Sequence, residues 1–197
     1  MRANWIVKAV VVLSGVCAAA GVVIAAPGSG ATTGVAGTEH SAHSAHEERQ
    51  SELAEVRRVT ARFHELDAAL EAGYELGWVN GSGTRIITGC VANPTAGAMG
   101  YHYFNEQLMD DLAVDLLQPE VLVYAPGPDG QLRLVAVEWV ARGSNSNPPG
   151  VSEPPSLLGM PMHILVPQVG FYIMHAWVWE PNPAGMFADW NPNITCA

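Results

Sequence analysis

Pro119-Glu120-Val121-Leu122-Val123-Tyr124 and Leu132-Arg133-Leu134-Val135-Ala136-Val137-Glu138-Trp139-Val140 flank the segment Pro126-Gly127-Pro128-Asp129-Gly130. Two runs rich in Val, Leu and aromatic residues, joined by Pro/Gly/Asp turn chemistry, predict an antiparallel hairpin. The pattern recurs in Met162 to Val166 and Phe171 to Trp179, around Pro167-Gln168-Val169-Gly170. Upstream, Leu53, Val56, Val59, Phe63, Leu66 and Leu70 return at three- and four-residue steps. That period predicts one amphipathic helix over Glu48 to Tyr74, with Gly73 as its stop. A helix followed by antiparallel strands is an α+β domain. Several strands are apolar on both faces, so both faces need cover. Either the helix packs on an antiparallel sheet, or the sheet curls into a small barrel.

Toward the N-terminus the chain changes character. Arg2 and Lys8 flank Trp5, and Ala9 to Ala26 is almost wholly small and apolar. This is the pattern of a secretory signal peptide over residues 1–26, with an uncleaved membrane anchor as the alternative. Residues 27–47 read as a flexible Gly/Ser/His-rich spacer, and 48–197 as a single globular domain. Within the spacer, His40, His43 and His46 recur every third residue. They predict a mobile tract that binds Cu, Ni or Zn weakly, or a solvated lead into the helix.

Apolar residues make up 49% of the chain, which favours a packed body over disorder. The formal net charge is −10, and loss of Arg2 and Lys8 with the leader takes it to −12. Lys8 is the only lysine. Such a surface repels phosphate backbones and anionic lipid headgroups, so neither nucleic acid nor, once the leader is removed, a membrane is expected as partner. Beyond Cys17 of the leader only Cys90 and Cys196 remain. An even pair in an exported chain predicts a disulfide and an extracytoplasmic location.

The residues that carry chemistry interrupt the strands. His102 lies in Gly100-Tyr101-His102-Tyr103-Phe104, His163 follows Met162, and His175 precedes Ala176-Trp177. Period-two alternation puts Glu138 on one face with Leu132, Leu134, Ala136 and Val140. A carboxylate on an apolar face is costly unless paired, protonated or metal-bound. His102, Glu138, His163 and His175 therefore predict a site for a divalent transition metal such as Zn, Cu, Mn or Fe, with His64 or Asp67 of the helix behind it. The alternative is a set of separate core histidines, with Glu138 paired to Arg133, Arg142 or Arg85. The spacing matches no HExxH or related zinc motif, and no GxSxG, phosphate loop or GxGxxG is present. Trp139, Trp177, Trp179 and Trp190, with Tyr101, Tyr103, Tyr124 and Tyr172, offer a second reading, as the lining of an apolar ligand pocket or simply as core.

Several segments together resemble a group of exported bacterial proteins. They are Phe63-His64-Glu65-Leu66-Asp67 with Ala72-Gly73-Tyr74, Met99 to Tyr103, Gln118 to Tyr124, Leu134 to Trp139, and His175 to Trp179 through Gly185-Met186-Phe187-Ala188-Asp189-Trp190-Asn191-Pro192. The resemblance implies export and one compact domain, and it supplies no catalytic residues. Two functional expectations emerge. The first is a secreted domain binding a divalent metal through strand-borne histidines, with enzymatic activity left open. The second is a non-catalytic extracellular or cell-envelope module for a small apolar ligand or a protein partner.

Overall fold

The computed structural model describes residues 36–165 and 167–196. The expected leader and residues 27–35 of the expected spacer lie outside them, as does the side chain of His40. The chain opens with helix α1 (Ala36–Thr60), a 3₁₀ turn (Ala61–His64) and helix α2 (Leu66–Glu71). Strands β1 (Tyr74–Leu76), β2 (Trp78–Val79), β3 (Arg85–Ile86), β4 (Val91–Asn93) and β5 (Gly97–Asn105) come next. Helix α3 (Glu106–Asp111) leads to β6 (Val121–Pro126) and β7 (Leu132–Arg142). The short strands β8 (Ser156–Leu157), β9 (Met160–Pro161) and β10 (His163–Ile164) precede β11 (Phe171–Ala176).

Both expected hairpins form, as antiparallel β6–β7 and β10–β11. The main sheet runs β1-β5-β6-β7-β11-β10, with β4 also paired to β5. It is an open sheet, not a barrel: β10 stands at one edge, and β1 and β4 share the other. Cover therefore has to come from outside the sheet.

The expected single helix over Glu48 to Tyr74 is instead broken in three. Thr60 turns its hydroxyl back to donate to the Val56 carbonyl at 2.7 Å, a bond that competes with helical continuation. Glu65 is extended, at φ −83° and ψ 109°, and shifts the phase of α2 relative to α1. Ala69 is thereby buried, and Leu70, the last residue of the expected stripe, turns outward. The helical layer is held to the sheet by polar ties as well as by Leu53, Val56 and Phe63. The Tyr124 hydroxyl donates to the Phe63 carbonyl at 2.6 Å, and Arg57 Nε donates to the Val178 carbonyl at 2.7 Å. Helix α1 also starts earlier than expected, at Ala36, so His43 and His46 are helical rather than mobile. Ala and Glu are good helix formers, and His43 Nε2 lies 3.0 Å from Glu47 Oε1 one turn on.

The two faces of the sheet are covered differently. Tyr103, Leu122, Tyr124, Val137, Trp139, Met174 and Ala176 face the helical layer. Met99, Phe104, Val121, Val123, Ala136, Val140, Phe171 and Ile173 face a layer with little regular structure, made of Trp78, Met109 of α3, Ile87, Val91 and the C-terminal tail around Trp190 and Ile194. Cys90 and Cys196 are bonded, with Cα atoms 5.7 Å apart, and pin this second layer at both of its ends. Among the described residues no helix is long and apolar enough to cross a membrane.

The bond spans a sequence separation of 106 residues, for which loop-closure entropy alone gives about 5 kcal/mol. Cys90→Ala/Cys196→Ala is expected to lower the denaturation midpoint strongly. Native protein alkylated without reductant is expected to take up no label at these two positions. Two freely labelled thiols in native protein would refute the pairing.

Candidate metal centre

Strand register builds the site. On β7, Leu132 and Leu134 pack on the helical side, whereas Ala136 and Val140 pack on the other. The cause is a bulge: Val123 pairs with Ala136 but Tyr124 with Leu134, which leaves Val135 as the extra residue. Simple alternation therefore fails for Leu132 and Leu134, and Glu138 shares its face with Ala136 and Val140 only. Glu138 lies opposite His175 on β11 and opposite Val121 on β6. One strand further, His102 of β5 lies opposite Val123. Because paired residues project to the same side, His102, Glu138 and His175 all point into the less regular layer.

They meet there. His102 Nε2 is 3.7 Å from Glu138 Oε2, and His175 Nδ1 is 3.7 Å from Glu138 Oε1. One ligand-capable atom from each lies within 4.8 Å of the other two. The side chains are 4%, 5% and 0% exposed for His102, Glu138 and His175, so water does not solvate them freely. These distances exceed hydrogen-bond length. Two donors each about 2.1 Å from a shared ion stand about 3.4 to 3.6 Å apart at tetrahedral to trigonal angles, close to what is seen. His102 Nδ1 and both nitrogens of His175 are buried without a hydrogen-bond partner among the described residues. The Gly100 backbone lies close enough to favour a protonated His102, yet no well-formed hydrogen bond reaches Nδ1. Burial drives each group toward its neutral form. It pushes the Glu138 carboxyl up to about 7, against the pull of His102, and the His175 imidazole down to about 3. His102 is lowered as well, by burial first, with Glu138 opposing.

The other expected members separate from this cluster. His163 pairs with Ile173 across the β10–β11 ladder and so faces the same side. It stands at the sheet edge, 49% exposed, with Nε2 3.1 Å from Asp189 Oδ1. An edge strand has no further neighbour to bury it, which is why the fourth expected ligand falls at the rim. His64 and Asp67 lie across the sheet in the helical layer, where His64 packs edge-on against Trp179 with ring centroids 4.4 Å apart and Asp67 is exposed. Neither supports the cluster. Arg133 pairs with Glu180, Arg142 with Asp110 at 3.1 Å and Arg85 with Glu75 at 2.7 Å, so the alternative partners for Glu138 are engaged elsewhere.

Comparison with protein-family models, curated proteins and solved structures finds no match. Function is therefore argued from the chemistry of the site. Beside the cluster lies a pocket lined by Ile87, Val91, Met99, Phe104, Leu165, Val169, Phe171 and Ile173, with His102 and Glu138 as its polar groups. None of the tryptophans or tyrosines expected to line a pocket takes part. Trp177 stacks on His175 at 4.6 Å and Trp139 belongs to the helical side.

The sequence pattern did not single out Glu120, which is buried beside Tyr74 and accepts from the Val140 amide at 2.9 Å. Burial pushes its carboxyl up to about 8; the Val140 amide opposes this, and Asp111 and Asp115 add to it. A carboxyl raised on folding stabilises the fold fully below its unfolded value near 4.5 and loses that contribution as pH rises through about 8. Glu120→Gln keeps an acceptor for the Val140 amide without the titration. The variant is expected to match wild type near pH 5 and to exceed it near pH 9 by on the order of 2 kcal/mol. Melting temperatures of both proteins across that range check it, and a constant difference would show that Glu120 does not titrate there.

Proposed function

We propose that this protein is an exported metal-binding domain whose centre is His102, Glu138 and His175. The observation that carries the reading is three buried donors, two imidazoles each 3.7 Å from one oxygen of a shared carboxylate and all within 4.8 Å of one another, with three ring nitrogens unpartnered among the described residues. Each unsatisfied buried group costs about 1 to 3 kcal/mol. A single cation held between His102 Nε2, Glu138 and His175 Nδ1, the atoms that face one another, gives each of the three residues a partner, while His102 Nδ1 and His175 Nε2 keep theirs to find. Two histidines and a carboxylate suit Zn²⁺ and also Fe²⁺, Mn²⁺ or Cu²⁺. Three protein ligands leave a coordination position for water or a further ligand, the arrangement that Lewis-acid and redox centres use. Export is supported by the apolar leader-like stretch over residues 1–26 and by the Cys90–Cys196 bond.

The test is metal stoichiometry on chelator-stripped, reloaded protein in which His40, His43 and His46 are changed to Ala. One tightly held equivalent of Zn²⁺ is expected. His102→Ala, His175→Ala and Glu138→Gln should each abolish it, while His163→Ala should not. Zn²⁺ at about 1,000 times its dissociation constant is expected to stabilise the parent by about 4 kcal/mol and the three site variants by nothing. Loss of all metal with the spacer histidines, or uptake that survives His175→Ala, would refute the centre. The pocket would then favour the second reading, a metal-free apolar-ligand module.

A further inference from the structure

The pocket beside the cluster has a volume of about 150 Å³. That matches cavities that take one benzene-sized molecule. Its floor is buried: Met99 and Phe104 of β5, Phe171 and Ile173 of β11, and the two polar residues His102 and Glu138. Its rim is half-buried, with Ile87 and Val91 on one side and Leu165 and Val169 on the other. His175 is not among the lining residues, so it reaches the cluster from behind. A fourth ligand on a cation held by the three donors would arrive through this apolar space.

Charge sets the class of that ligand. A divalent ion with two neutral imidazoles and the Glu138 carboxylate carries one net positive charge. The lining supplies no further charged group, since Asp189 is engaged by His163 outside it. A buried uncompensated charge is costly, and one anionic donor cancels it. The remaining eight lining residues give an extended polar group nothing to bond to. The rim carries a further mark of ligand contact. Ile87 sits at φ 57°, a left-handed conformation that a β-branched side chain adopts only under constraint. Such residues gather at ligand clamps.

We propose that the pocket binds a small apolar monoanion, one ring or a short branched chain bearing a single anionic oxygen or sulfur donor. The donor completes the metal's coordination, and the apolar body fills the space between Phe104, Phe171 and Ile173. This rests on the metal-centre reading and adds the ligand class to it. Outside the cluster and the lining, the titratable groups His163 and Asp189 stand 3.1 Å apart, and the Asp189 carboxylate acts on Glu138 and His175 from there.

The experiment uses the disulfide-intact protein loaded with Co²⁺, whose visible bands report on coordination, titrated with three ring compounds. Benzoate is the monoanion, benzamide its neutral isostere, and terephthalate carries a second carboxylate at the far end of the ring. Benzoate is expected to bind one to one and to alter the Co²⁺ bands. Benzamide and terephthalate should bind about tenfold or more weakly, because one lacks the compensating charge and the other forces a charge against apolar walls. Val169→Trp, or Leu165→Trp should the first fail to fold, fills the space from the half-buried rim. Either is expected to keep one equivalent of Co²⁺ and lose benzoate. If Co²⁺ loads but benzoate binds no tighter than its two analogues, or binds unchanged in the rim variant, the ligand class is wrong and the metal centre stands. Failure to take up Co²⁺ overturns both.

Discussion

Everything distinctive in this molecule depends on one constraint: an open sheet that is apolar on both faces, with only one helical layer to cover it. Burial of each face is the main driving force for folding, so the second face cannot be left to water. The chain covers it with a short hairpin, α3, a pocket-wall segment and a tail of Pro and Asn. Such segments have little internal hydrogen bonding and must be tied down individually. The tail pairs with β5 through Ala98 and Asn191, whose amides and carbonyls exchange bonds at 3.2 and 3.1 Å. Trp177 holds it again, its indole donating to the Ala188 carbonyl at 2.6 Å. Gly97 permits the contact, since a Cβ there would meet the Asn191 carbonyl oxygen at 2.2 Å. The disulfide completes the fastening.

The same constraint explains where the polar cluster lies. A regular helix over the second face would have filled it with side chains and left no gap. Loop cover stops short between the Ile87–Val91 segment and the 167–170 turn, and there the sheet carries His102, Glu138 and His175 instead of another apolar patch. Their convergence depends on register, because a one-residue slip in β7 would turn Glu138 to the helical side. The Val135 bulge lies before the regular pairing of Ala136–Arg142 and changes the face of Leu132 and Leu134 without moving Glu138. It lets Leu134 serve the helical core while Glu138, four residues later, serves the opposite face.

How much of this was legible in the sequence depends on how local its cause is. The hairpins were legible because Pro126 to Gly130 and Pro167 to Gly170 signal turns by themselves. The Cys90–Cys196 bond was legible because no other partner exists in the body. That Glu138 interrupts an apolar strand face was legible from period-two alternation, whereas a face shared with His102, His163 and His175 was an expectation that only the register between strands decides. What failed was non-local. The helix breaks at Thr60 to Glu65 so that Phe63 can reach the sheet, and nothing in the three- and four-residue spacing announces that. His163 was read as an equal of the other two histidines, yet only the strand order makes β10 an edge. Leu132 and Leu134 were assigned to Glu138's face because a bulge leaves no mark in an apolar run. The tryptophans and tyrosines were candidates for a pocket wall, whereas Phe, Ile, Val, Leu and Met line it, because the large rings were consumed in holding the layers together.

The disulfide and the site are parts of one arrangement. Cys90 sits between Ile87 and Val91, both of which line the pocket, and Cys196 packs with Ile194 on the same apolar cluster. The bond therefore fixes one wall of the pocket as well as the end of the chain. A disulfide of this kind fits an extracellular, oxidising setting. The acidic, nearly lysine-free body is consistent with that setting, because its positive charges are few and the buried donors face no competing cation from the protein itself. Arg85, Arg133 and Arg142 are each engaged by other carboxylates, so among the described residues the groups paired with Glu138 are its two histidines. That division of charge gives an otherwise apolar second face its capacity for chemistry.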